Sequence, residues 1–163
     1  MGGALKDSNR KCFNAGNYYN EGWMEKTTAE VTVRRYPTFF DLAFFGDMHL
    51  VTNEFTLVSV GDFKALYNRR KSFNLDTASH ADKVVIVKPL GPWGFEGTDM
   101  VAALDEGEVF YDAEAGVSIR VCERRYGNWG QTPESVRLAV GTDEDVPCET
   151  SNYYQMRSRY NVP

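Results

Sequence analysis

Imidazoles, thiols and paired carboxylates are the groups with which a chain could cut a bond or hold a metal, and their spacing here is unfavourable for both. There are two histidines, His49 and His80, 31 positions apart. A helical zinc-protease site needs two imidazoles one turn apart with a glutamate base between them, H-E-x-x-H, and two distant histidines cannot supply it. Structural zinc sites bring their ligands in close pairs, yet the three cysteines, Cys12, Cys122 and Cys148, contain no C-x-x-C. There is no G-x-S-x-G nucleophile elbow. A reactive thiol needs a neighbouring base or a helix N-terminus to lower its pKa; Cys122 sits within a strand-like alternation and Cys148 follows Pro147. No catalytic residue, metal ligand or cofactor is therefore assigned to this chain. Cys122 and Cys148 read as a disulfide tying down the last strands, given an oxidising compartment. Cys12 is left over.

Acidic runs occur at Asp105-Glu106-Gly107-Glu108 and Asp143-Glu144-Asp145. Calcium needs several oxygens converging on one point, which adjacent residues of an extended chain do not provide, so both runs read as solvated turns. Among the aromatics, Trp93 and Trp129 stand near Gly-rich turns, as do Tyr18, Tyr19 and Trp23. Loop aromatics can form a glycan- or protein-binding surface; packing into the core is the competing reading. The net charge is −5, and the basic runs are short, Arg69-Arg70-Lys71 and Arg124-Arg125. These read as a solvated turn and a solvated strand end, and no nucleic-acid partner is expected.

The elements that would carry these residues are strands. Aromatics make up 13% of the 163 residues, a bias toward sheet. Val31 and Val33 alternate with polar residues in Ala29 to Arg35. Glu54 to Ala65 reads as another strand. Lys83 to Lys88 is a continuous β-branched run, the mark of a strand buried on both faces. Val109, Phe110 and Tyr111 form a short strand core. Val117 to Arg124 and Ser135 to Val140 alternate cleanly, with Val117, Ile119, Val121, Val136, Leu138 and Val140 inward. Gly, Pro and Asn punctuate the gaps, and no window is convincingly an amphipathic helix. The expectation is an all-β, antiparallel, jelly-roll-like sandwich over 26–150, preceded by a loop-rich segment 1–25 and followed by a flexible tail 151–163. No apolar run is long enough to span a membrane. Met1 to Arg10 lacks the apolar stretch of a signal peptide, so the chain is either intracellular or part of a longer precursor.

The run Lys11-Cys12-Phe13-Asn14-Ala15-Gly16-Asn17-Tyr18-Tyr19-Asn20-Glu21-Gly22-Trp23 resembles a Cys-Phe-Asn segment, followed some residues later by Gly-Trp, in gametolysin-like zinc metallopeptidases. Met1-Gly2 resembles the remnant of that family's Met-turn. Leu57 to Phe63 is similar to its strand ending in Gly-x-Ala-Asp-Tyr, Lys83 to Lys88 to the strand that follows, and Ile119 to Cys122 to a late Val-Cys strand. Glu21 stands where a leucine is common, and Gly3-Ala4 replaces Tyr-Ser. The resemblance implies a β-rich region downstream of a catalytic domain, with the zinc-binding signature before Met1 and zinc belonging to the parent enzyme. It also implies an extracellular or cell-wall location, the upstream catalytic domain and a matrix glycoprotein or glycan as partners, and an upstream mate for Cys12. Two other readings stand beside it: a free-standing β-sandwich that binds glycan or protein through Trp93 and Trp129, and a purely structural domain.

Overall fold

The computed structural model describes residues 25–34, 36–69, 80–90, 98–128 and 131–149. The expectations for Cys12, the Cys12 to Trp23 run, Trp93, Trp129 and the tail fall outside them. Among the described residues nine strands form two sheets. The first contains β1 (Thr28–Val31), β3 (Leu57–Val60), β4 (Phe63–Asn68), β5 (Lys83–Pro89) and β6 (Thr98–Leu104), in the order β1-β3-β4-β5-β6. The second contains β2 (Thr38–Ala43), β7 (Val109–Asp112), β8 (Val117–Arg125) and β9 (Ser135–Gly141), in the order β2-β9-β8-β7. Every pairing is antiparallel except β1 with β3. The helical pieces among the described residues are two short 3₁₀ turns, Glu25–Thr27 and Phe45–Leu50. Among the described residues no helix is long and apolar enough to cross a membrane.

The fold is an all-β sandwich, and its core follows from the period-two pattern. Val58, Val60, Phe63, Ala65, Tyr67, Val84, Ile86 and Leu104 of the first sheet meet Leu42, Val117, Ile119, Val121, Val136, Leu138 and Val140 of the second in one buried cluster. Successive strand residues point to opposite faces, so each strand gives alternate side chains to this layer. The Phe63 and Phe110 rings meet edge-on across it, with centroids 5.1 Å apart. The β-branched run of β5 is covered on both sides. Val84 and Ile86 face the main core, while Val87 joins Leu57, Leu66 and Phe45 in a smaller cluster on the outer face. The turn Phe45–Leu50 roofs that second cluster.

Two stretches differ from the sequence pattern. Glu54 to Ala65 is not one strand but the hairpin β3–β4, folded at Gly61-Asp62. Gly61 has φ +56°, the conformation that a two-residue hairpin turn demands at its first central position and that glycine adopts without a Cβ clash. The strand expected over Ala29 to Arg35 is paired only over Thr28–Val31, because its partner β3 turns back after Val60. Val33 still packs on the core. On one side the two sheets are drawn together: Ala43 N–H donates to the Phe55 carbonyl (2.7 Å), Phe55 N–H donates to the Asp41 carbonyl (2.8 Å), and Phe44 bridges to Tyr67.

Candidate functional site

The described polar groups that approach one another from both sheets lie at one end of the sandwich. There β4 ends, β5 begins, β6 and β8 end and β9 begins. Arg69, one residue past β4, is the hub. Its guanidinium reaches Glu134 at 2.7 Å and Asp82 at 3.3 Å, and donates to the Tyr67 hydroxyl at 3.2 Å. Arg124 of β8 donates to the Asp82 carbonyl at 2.6 Å and to Asp105 at 3.1 Å. Lys83 holds the other Asp105 oxygen at 2.7 Å. Three cations thus face three carboxylates, and Asp105 and Asp82 join the β5 and β6 ends of one sheet to the β8 end of the other.

Local backbone geometry sharpens the picture. His80 and Asp82 have φ +56° and +62°, left-handed values that a non-glycine residue adopts at a cost. The carbonyl of each is captured by a side chain, His80 by Asn68 (2.9 Å) and Asp82 by Arg124. The turn entering β5 is therefore held in an uncommon shape by residues from β4 and β8. Tyr67 is almost fully buried, and burial pushes its phenol pKa up; the neighbouring Arg69 and Arg124 oppose this without reversing it. Its hydroxyl accepts from Arg69. Desolvation works against the Arg69 charge, but Tyr67, Glu134 and Asp82 outweigh it and raise its pKa. The arrangement is a network of ion pairs and hydrogen bonds that ties the ends of β4, β5, β6 and β8 together.

A second polar pair lies on the outer face of the first sheet. Ser59 and Lys64 are cross-strand partners. Lys64 Nζ donates to Ser59 Oγ at 2.5 Å and to the Gly61 carbonyl at 3.2 Å. Burial lowers the Lys64 pKa, while Glu30 and Asp62 pull it back up. An amine that activates a serine must accept the hydroxyl proton, whereas this one donates to two oxygens, and Ser59 is 1% exposed. The pair is a hydrogen-bonded packing contact.

Cys122 and Cys148 stand at disulfide distance, Sγ–Sγ 2.12 Å and Cα–Cα 5.4 Å, across 26 positions. Trp93 and Trp129 lie outside the described residues, but the strand ends flanking them are placed. Leu90 and Thr98 are at the end opposite the ionic cluster, since Pro89 pairs with Thr98 whereas Lys83 pairs with Asn68. Asn128 and Gln131 follow β8 at the ionic end. Among the described residues no three His, Cys, Asp or Glu side chains are grouped to hold a metal ion. No family model, curated protein or solved structure matches this chain.

The sequence reading missed the ionic end because Arg69 and Arg124 looked like members of solvated basic runs. For Arg124 the reason is specific. The β8–β9 ladder shifts register between Val121 and Glu123, so Arg124 is opposite Val136, a core residue, and Glu123 is opposite Arg137. The bulge at Cys122 reverses the inside–outside parity of the last residues of β8. Unbroken alternation beyond Cys122 would put them on the opposite faces. Asp105, read as part of a solvated acidic turn, is the acceptor for both Arg124 and Lys83.

Proposed function

We propose that this chain is a non-catalytic β-sandwich region of a gametolysin-like secreted zinc metalloendopeptidase, standing beside a catalytic domain and contacting extracellular-matrix or cell-wall glycoprotein. The observation that carries this reading is the cysteine pair Cys122–Cys148 at bonding distance, because disulfides persist in oxidising compartments. It falls in the strand whose Ile119 to Cys122 segment resembles the family's late Val-Cys strand. The chain would contribute substrate contact and shape, and the zinc and general base would come from the parent's catalytic domain.

The test is the transcript and the mature protein in the source cells. An in-frame H-E-x-x-H upstream of Met1 is the expected result, together with a secreted protein whose glycoprotein cleavage stops when zinc is chelated. An initiating Met1 preceded by an in-frame stop would overturn the reading. In that case the glycan- or protein-binding alternative is measured directly: saturable binding of wall glycoprotein by the purified chain, weakened by Trp93→Ala or Trp129→Ala, marks a free-standing binding module.

A further inference from the structure

After β9 ends at Gly141, the chain turns and comes back across the outer face of its own sheet. Residues 142–145 are half-buried or exposed, Val146 is 1% exposed and Pro147 is buried. Val146 packs directly on Gly141, where a Cβ would lie 3.0 Å from the valine methyl, so a glycine at that position leaves room for the returning segment. The segment is not a further strand, since β9 pairs with β2 and β8. Arg120 holds the segment at its middle. Arg120 of β8 donates to Asp145 at 2.7 Å and to the Val146 carbonyl at 3.0 Å. The Asp145 carboxylate is 69% exposed, and an ion pair so open to water holds weakly. The strong fastening is covalent, Cys148 to Cys122.

We propose that 142–149 is a redox latch: reduction of Cys122–Cys148 by a dithiol lets this segment lift from the β9–β8 face while the sandwich stays folded. The inference is independent of the proposed function and needs no upstream domain. Three features support local rather than global opening. Cys122 occupies the register gap between Val121 and Glu123, so its side chain is tied to no regular rung of the ladder. Val146 is buried but belongs to neither core cluster; the core lies on the opposite face, with Ile119, Val121, Leu138 and Val140. Ser118 stands opposite Gly141 in the register, is fully buried, and its hydroxyl has no hydrogen-bond partner. A buried hydroxyl without a partner is unfavourable, and the penalty disappears once water reaches it. The outer face beside Gly141, on which Val146 packs, thus carries a local cost in the closed state.

The chemistry balances with the dithiol as reductant. A thiolate of the dithiol attacks one cystine sulfur, giving a mixed disulfide and one cysteine thiolate; the second thiol displaces the other. Two electrons and two protons end on Cys122 and Cys148, and the dithiol leaves as its own disulfide.

Hydrogen exchange on the whole chain, read by mass spectrometry before and after dithiothreitol, tests the proposal. Amides of 142–149 are expected to exchange about tenfold or more faster on reduction and to become far faster than those of Ile119–Val121 and Leu138–Val140, which still exchange only through global unfolding, and oxidised glutathione should restore the slow exchange. Cys148→Ser should match the reduced chain without any reductant, whereas Asp145→Ala in the oxidised chain should leave 142–149 protected. Unchanged exchange of 142–149 on reduction would overturn the latch. Exchange of Ile119 and Leu138 at the same rate as 142–149 in the reduced chain would also overturn it, since the segment would then open only with the whole fold.

Discussion

At the scale of single residues, the decisive groups are half-buried charges. Arg69 forms ion pairs with Glu134 and Asp82 and donates to Tyr67, and its side chain is only 20% exposed. Removing it leaves a carboxylate and a phenol without their donor, so Arg69→Met is expected to cost about 2 kcal/mol, read from urea unfolding. Acid sensitivity follows from two carboxyls. The hydrogen bond from Lys83 holds Asp105 below the usual carboxylate range. Burial would raise Glu54, but the backbone N–H groups of Thr52 and Asn53, 3.1 and 3.2 Å from its carboxylate, outweigh it and lower its pKa. A carboxyl whose pKa is depressed by folding stabilises the fold above its unfolded pKa, and that contribution fades as pH falls through the folded value. Between about pH 6 and pH 3, the urea midpoint should therefore fall less steeply for Glu54→Gln with Asp105→Asn than for the parent chain. The effect should shrink in high salt, because both groups are largely open to solvent. None of this was legible in the sequence: a lysine or arginine in a short basic run looks the same whether it faces water or the seam between two sheets.

At the scale of elements, the alternating runs told most of the story. Val117, Ile119 and Val121, and Val136, Leu138 and Val140, all face the core as their period-two spacing requires. The unbroken run of β5 signalled a strand covered on both faces, which Val87 in the outer cluster accounts for. Alternation fails where the backbone departs from a regular ladder. Gly61 converts one apparent strand into a hairpin, and the irregularity at Cys122 exchanges the faces of Glu123 and Arg124. A second register shift, between Ile86 and Val87, puts Val101 out of step in β6. There Met100 and Val101 are both exposed, and such a bulge in an edge strand discourages pairing with another chain. The cysteine pair acts at this scale too. In the chain-entropy account, closing a loop of this length restrains the unfolded state by about 3 kcal/mol. The double variant Cys122→Ser, Cys148→Ser should lose about that much in urea unfolding.

At the scale of the whole molecule, the two sheets are each largely a meander, β3-β4-β5-β6 and β7-β8-β9, completed by β1 and β2 at their outer positions. The chain crosses between the sheets on one side through the Leu42–Phe55 and Phe44–Tyr67 bridges, and at one end through the Arg69 and Arg124 contacts. No short-range pattern in the sequence announces these long-range ties, since Arg124 and the Asp82 carbonyl, for instance, meet at 2.6 Å from 42 positions apart. The placement of the strand ends bears on binding as well. The connections that carry Trp93 and Trp129 leave from opposite ends of the sandwich, which is why the two tryptophans are best substituted separately.

The bond between Cys122 and Cys148 also sets how the protein behaves under tension. Everything from Glu123 to Pro147 lies inside its covalent loop, including all of β9, which sits between β2 and β8 in its sheet. A pull on the two chain ends passes from Cys148 straight into β8 and leaves that loop slack. At roughly 3.5 Å per residue, the shielded contour is about 90 Å. Stretched between handles at Lys26 and Glu149, the oxidised chain should come taut about 90 Å short of the reduced one, and equal lengths would show that the bond does not bear the load. The difference is a hidden reserve of length, released by chemistry instead of force.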